Sequence, residues 1–152
     1  MAERLRRLEW IYTRSPIFFV TTCTARRHAL LARDDVQAAI LKYGEAGPAH
    51  GAWLGAFVLM PDHLHCFVGF DGDRIQLSIW VKSLKNAISK TLRAAGLASP
   101  HWQRGFFDHV LRSEESYEEK WNYVRDNPVR AGLVKCWEDW QFRGEPYDLR
   151  YR

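Results

Sequence analysis

Two imidazoles stand one residue apart in Met60-Pro61-Asp62-His63-Leu64-His65-Cys66-Phe67-Val68, at the start of an apolar run. A tyrosine follows much later, in Tyr123-Val124-Arg125-Asp126-Asn127-Pro128. In an extended strand residues i and i+2 point to the same face, so His63 and His65 converge on one cation while Leu64 packs beneath them. With a tyrosine available, this combination suggests metal-assisted cutting of DNA. Taken alone, an HxH pair at a strand end also fits two ordinary hydrogen-bonded histidines, and other residues must decide between the two.

Composition sets bounds on the choice. A chain of 152 residues, 47% hydrophobic with seven Trp, fits a single domain over residues 1–152 with an ample core. A formal charge of +4 favours a polyanionic partner, although many proteins with a similar surplus never touch nucleic acid. Cys23, Cys66 and Cys136 lack CxxC spacing, which argues against zinc-finger chemistry and for reduced thiols in a cytosolic protein. The start, Met1-Ala2-Glu3-Arg4-Leu5-Arg6-Arg7-Leu8, has no apolar signal region, and no apolar run is long enough to cross a bilayer. The expectation is a soluble cytoplasmic protein with no membrane partner, associated with the nucleoid when bound to DNA.

The elements that must position these residues can be read from periodicity and punctuation. Residues 17–25 (IFFVTTCTA), rich in β-branched and aromatic types, predict a strand. Residues 34–46 open on two aspartates, carry Val36, Ile40 and Tyr43 at helical spacing, and stop at Gly47-Pro48. Runs at 53–60 and 64–70 predict a hairpin whose rim holds the histidines. Leu77, Val81, Leu84, Ile88 and Leu92 form the stripe of a long helix lasting until Gly96. Residues 106–111 predict a fourth strand, and Ser113-Glu114-Glu115 opens a helix with Tyr117, Trp121 and Val124 on its core face. Tyr123 falls about 100° from Val124 around that axis, so it can face a site. The order predicts an α+β fold of the ferredoxin-like split βαβ type, an antiparallel sheet with helices on it, plus a C-terminal helix carrying the tyrosine.

Two basic features accompany this frame. Lys82, Lys85, Ser89 and Arg93 align on one face of the long helix, either as a solvated face or as contacts to a DNA backbone beside the site. The tail, residues 137–152, interleaves Trp140, Phe142, Tyr147 and Tyr151 with Arg143, Arg150 and Arg152, and can either cover the core or stack on bases.

Four stretches in this order resemble one family. FFVTTCTARR (18–27), MPDHLH (60–65), WQRGFFDHVLRSEESY (102–117) and YVRDNPVRAGLV (123–134) match the REP-associated tyrosine transposases, members of the single-tyrosine HUH superfamily. The resemblance implies Tyr123 as nucleophile and His63 and His65 as ligands of a divalent metal, Mg²⁺ or Mn²⁺. Asn127 matches the superfamily's third polar ligand, while its place before Pro128 equally suits the cap of a short helix starting at that proline. Arg104, Arg112, Arg125 and Arg130 are candidate phosphate contacts, and Arg130 could instead pair with a carboxylate. Asp108 and His109 could position metal or DNA, or simply bond locally at a strand end.

The implied substrate is single-stranded DNA carrying palindromic hairpin repeats, cut beside the hairpin foot. A phenol with a pKa of about 10 is a weak nucleophile at neutral pH, so the reaction calls for an ion to offset developing charge. Attack would leave a 5′-phosphotyrosine and a free 3′-OH, which makes the step a transfer rather than a hydrolysis. Monomeric action is expected over a homodimer. The alternatives are a domesticated hairpin-binding regulator with little catalysis and a plain metal-dependent nuclease.

Overall fold

The computed structural model describes residues 17–72 and 75–149; the N-terminal segment and Arg150, Tyr151 and Arg152 of the tail lie outside them. Strand β1 (Ile17–Cys23) ends two residues before the expected boundary, because the chain turns at 25–27 with Arg26 and Arg27 in the left-handed region (φ 54° and 57°). Helix α1 (Asp34–Ala46) has the bounds its spacing predicts and buries Val36 and Ile40. Strands β2 (Ala52–Leu59) and β3 (His63–Phe70) form the hairpin, closed by the Met60 amide donating to the His63 carbonyl at 2.8 Å. Helix α2 (Leu77–Ala94) buries Trp80 together with Val81, Leu84, Ile88 and Leu92.

Beyond β4 (Phe107–Leu111), Ser113 caps helix α3 (Glu114–Arg125) by accepting from the Ser116 amide, which satisfies one of the orphan donors of its first turn. The helical path breaks at Asp126 and resumes as α4 (Asn127–Arg130), one residue earlier than the proline suggested. A two-residue strand, β5 (Arg143–Gly144), which the sequence did not announce, comes last.

The five strands are ordered β4-β1-β3-β2-β5, with every pairing antiparallel. β3 therefore lies between β1 and β2, and β1 between β3 and β4, which is the split βαβ arrangement. Alternation along the strands feeds two cores. Val20, Leu64, Cys66 and Val68 face α1 and α2, while Ile17, Phe19, Phe67 and Leu111 face α3 and the tail. Because β2 is covered on both faces, all eight of its residues are buried. A bulge between Leu54 and Phe57 shifts its phase, so that Leu54, Phe57 and Leu59 share the first core and Trp53, Ala56 and Val58 the second.

The described part of the tail covers the core. Trp140 is buried and donates its indole N–H to the Leu59 carbonyl at 3.0 Å, and the Tyr147 amide donates to the Leu54 carbonyl at 3.1 Å. Leu149 is fully buried over Gly55, where a Cβ would stand 2.8 Å from its methyl. Leu149→Ala should therefore destabilise the protein by about 2–5 kcal/mol, read as a lower denaturant midpoint. A midpoint matching wild type would remove the tail from the core.

Candidate active site

The start of β3 sets the site. His63 pairs across the sheet with Cys23 and His65 with Thr21, and both imidazoles stand on the face turned toward α3 while Leu64 is buried on the other. Their ring centroids are 4.7 Å apart, edge to face. Each ring is held from behind through Nδ1: His65 by the Thr21 hydroxyl at 2.8 Å, and His63 by the Asp62 carboxylate at 2.8 Å. His65 also stacks on Phe19, with centroids 5.4 Å apart. Nδ1–H donation to these oxygens leaves both Nε2 atoms as lone pairs facing outward.

Those lone pairs meet one group. The Asn127 amide nitrogen lies 3.1 Å from His63 Nε2 and 3.2 Å from His65 Nε2, donating to both. The structure thus brings the three sequence-predicted ligand residues together and gives the cap position to Asp126, which makes no side-chain cap bond. The capping role expected as an alternative for Asn127 is not what its side chain does.

The electrostatics favour a neutral His65. Burial first, then the positive groups of His63, Lys120, Arg130 and Arg27, push the His65 pKa down to about 3. Burial acts to raise the Asp62 carboxyl, yet hydrogen bonds from Arg27 and His63 outweigh it and hold the carboxyl below its ordinary value. Arg27 donates from Nε to Asp62 at 2.9 Å, so a residue with left-handed backbone is tied to the carboxylate that orients His63. Sequence reasoning assigned no role to Arg27, Asp62 or Thr21. The adjacency of Asp62 to His63 was the available signal for one of them.

Tyr123 is 63% exposed and reaches the histidines through intermediaries. The Arg130 guanidinium lies 4.1 Å from the centroid of its ring and also 3.5 Å from Asn127 Oδ1. This contact to the tyrosine takes the place of the carboxylate partner considered for Arg130. Tyr123 rims a concavity of about 200 Å³ lined by His109, Leu111, Ser116, Glu119 and Lys120. His109 pairs with Phe19 and so shares the histidine face, whereas Asp108 pairs with Val20 and points to the other. Tyr117 is buried against Phe67 at 4.4 Å, in keeping with a core role.

The basic residues are dispersed. Lys82, Lys85 and Arg93 ride on α2, across the sheet from the imidazoles, so the stripe is not beside them as expected. Lys85 donates to the Gln103 and Gly105 carbonyls at 3.2 and 2.6 Å, and Ser89, expected on the solvated face, is buried and bonded to His101 and Trp102. Periodicity fixes a helix face, not what docks against it. Arg104 and Arg112 are exposed on either side of β4 in sequence. Arg125 lies 3.8 Å from Asp126 and 5.6 Å from the Trp137 ring centroid, lining a separate cavity of about 620 Å³ with Trp121 and Arg143.

Among the described residues no group of three or more His, Cys, Asp or Glu side chains converges. The donors that do converge are two imidazoles and one amide. A carboxamide presents nitrogen or oxygen after a half-turn, so the point now filled by the Asn127 N–H donor can receive its carbonyl oxygen instead. Two lone pairs and an amide oxygen fit a divalent cation.

His65 should keep one tautomer, with Nδ1 protonated, and its ring resonances should stay fixed between pH 8 and pH 5 in NMR titration. A midpoint near 6.5 would contradict the geometry. In the unfolded chain the same imidazole protonates near 6.5, so its contribution to stability is complete above that pH and declines as pH falls toward about 3.

Comparison with known proteins places this geometry. The family model "Transposase IS200 like" matches residues 15–127. A REP-associated tyrosine transposase of Escherichia coli (strain K12) is 31% identical over 128 residues, covering 82% of this chain and 73% of that protein. A putative REP-associated tyrosine transposase of Haemophilus influenzae is 22% identical, covering 91% and 85%. Among solved structures, a REP-associated tyrosine transposase bound to a REP hairpin superposes with a TM-score of 0.64 at 28% identity, over 84% of this chain and 75% of that one. A putative transposase from Deinococcus radiodurans R1 shares the fold, with a TM-score of 0.51 at 24% identity over 72% and 88%. The chain belongs to the IS200-like transposase family and, within it, groups with the REP-associated tyrosine transposases.

Proposed function

We propose that this protein cuts single-stranded DNA beside palindromic hairpin repeats and transfers the strand through a 5′-phosphotyrosine on Tyr123. In this reading His63, His65 and Asn127 hold Mg²⁺ or Mn²⁺. One observation carries it: the Asn127 amide stands within 3.2 Å of both Nε2 atoms at once, just past a helix end that presents an exposed tyrosine. The Asp62–His63 hydrogen bond supports it, being the outer partner that metal-bound imidazoles usually have. The substrate is drawn from the solved relative, which is bound to a REP hairpin. In this reading the protein acts as a monomer.

The chemistry follows from charge and position. When bound, a divalent ion would polarise a non-bridging phosphate oxygen and offset the charge that develops there. Tyr123 Oη forms a bond to phosphorus, the bond from phosphorus to O3′ breaks, the phenolic proton is lost to solvent, and the 3′ oxygen takes up a proton from solvent and leaves as a hydroxyl. One phosphate ester replaces another, so a second 3′-OH can reverse the step and join strands. Arg130 holds the tyrosine ring and sets a positive charge near the incoming phosphate. Arg104 and Arg112 are the phosphate contacts best placed near β4, while Lys82 and Arg93 would meet only DNA that wraps past the sheet edge. Two nitrogen ligands favour Mn²⁺ over Mg²⁺ in vitro.

Tyr123→Phe should reduce the covalent protein–DNA adduct to background on denaturing gels while hairpin binding stays near wild type. A full-strength adduct would move the nucleophile elsewhere. Asn127→Ala should raise the Mn²⁺ concentration needed for half-maximal cleavage, and Asp62→Ala should raise it by about 10–100-fold, with activity recovering at saturating metal in both. Cleavage that persists in excess EDTA would end the metal reading.

A further inference from the structure

Strand β4 lies at one edge of the sheet, beside β1. Its register sets Phe107 opposite Thr21, and Thr21 is opposite His65, so the three residues form one row across the sheet with their side chains on one face. Two strand spacings put the Phe107 and His65 backbones about 10 Å apart. Phe107 is 71% exposed, more than Ile79, Tyr123 or Leu133, the other exposed large hydrophobic residues among those described. In the neighbouring row His109 opposes Phe19 and lines the concavity at Tyr123.

A single exposed apolar residue on a protein surface needs no explanation. Phe107 differs in the row it occupies, which it shares with His65. Arg104 and Arg112 are exposed to either side of its strand, and the Lys120 ammonium lies 5.2 Å from the Phe19 ring centroid in the next row. A flat, exposed ring in the same row as His65 matches an unpaired nucleotide, whose base stacks on the ring while its backbone runs toward the arginines that flank the strand in sequence. An acidic peptide would satisfy the charges but would make no particular use of a flat ring.

We propose that Phe107 is a positioning residue that stacks the base of an unpaired nucleotide next to the scissile phosphate. The inference rests on the reading of the site given above and adds to it the element that seats the single-stranded flank.

The test uses a REP hairpin, the DNA held by the solved relative, made either blunt or with an unpaired flank carrying 2-aminopurine at each position in turn. Wild type should quench the fluorophore at one position and bind the flanked hairpin about tenfold more tightly than the blunt one. Phe107→Ala should lose that quench and bind the flanked hairpin about tenfold more weakly, with blunt-hairpin affinity and melting temperature unchanged. Phe107→Tyr should restore both properties. A Phe107→Ala protein that keeps the quench and the flank affinity, or that weakens equally on both DNAs, overturns the platform alone. If the wild type forms no Tyr123 adduct on any of these DNAs, the underlying reading fails first, before any Phe107 variant is compared.

Discussion

The bridge from the Asn127 amide to the two Nε2 atoms joins the helical layer to the sheet, and its geometry depends on much of the rest of the chain. Hydrogen bonds of this kind contribute only about 1 kcal/mol each, so they cannot by themselves hold a helix end in place. The larger force is apolar. Tyr117 on Phe67, Val124 in the second core and the Trp121 ring near Phe67 dock α3 on the sheet, and the break at Asp126 then turns the chain so that Asn127 faces the imidazoles. Packing supplies the precision and the polar contact uses it.

Charge is arranged with equal economy. A neutral, half-buried His65 lies near Lys120, Arg130 and Arg27, and the carboxylate that answers them, Asp62, is already engaged by Arg27 and His63. Such a surplus of positive charge is tolerable at a partly open surface and becomes favourable when an anion arrives. The left-handed backbone at Arg26 and Arg27 fits this picture. The Thr24 hydroxyl donates to the His28 carbonyl at 2.8 Å, and the Thr24 amide donates to Asp62 at 2.9 Å, so the strained turn is fastened to the residue that orients His63.

Where local rules act strongly, the sequence was legible. Helix α1 is bounded by acidic residues and Gly47-Pro48, and its observed ends agree with those signals; the hairpin rim put both histidines where alternation required. The pairing of Arg27 with Asp62 links residues 35 apart, and nothing local announces it. Likewise, the spacing of Lys82, Lys85, Ser89 and Arg93 defines one side of a helix without saying that a loop carrying Gln103 and Gly105 will lie against it. The bulge in β2 was invisible for a related reason: a strand buried on both faces shows no alternation from which a phase shift could be read. The role proposed for Tyr123 rests on the resemblance, because on physical grounds alone an exposed tyrosine near a helix end points to no chemistry.

That double burial of β2 bears on how the chain survives its own synthesis. Residues 52–60 (AWLGAFVLM) carry no charge and no proline, and one of their two covers includes Trp140 and Leu149, which are made some eighty residues later. Until the tail arrives, this stretch presents a bare apolar face and an unclaimed strand edge, the features that drive β-aggregation. β5 and the tail therefore close both the edge and the open face of this segment, so that the most apolar strand of the sheet is covered by residues distant in sequence.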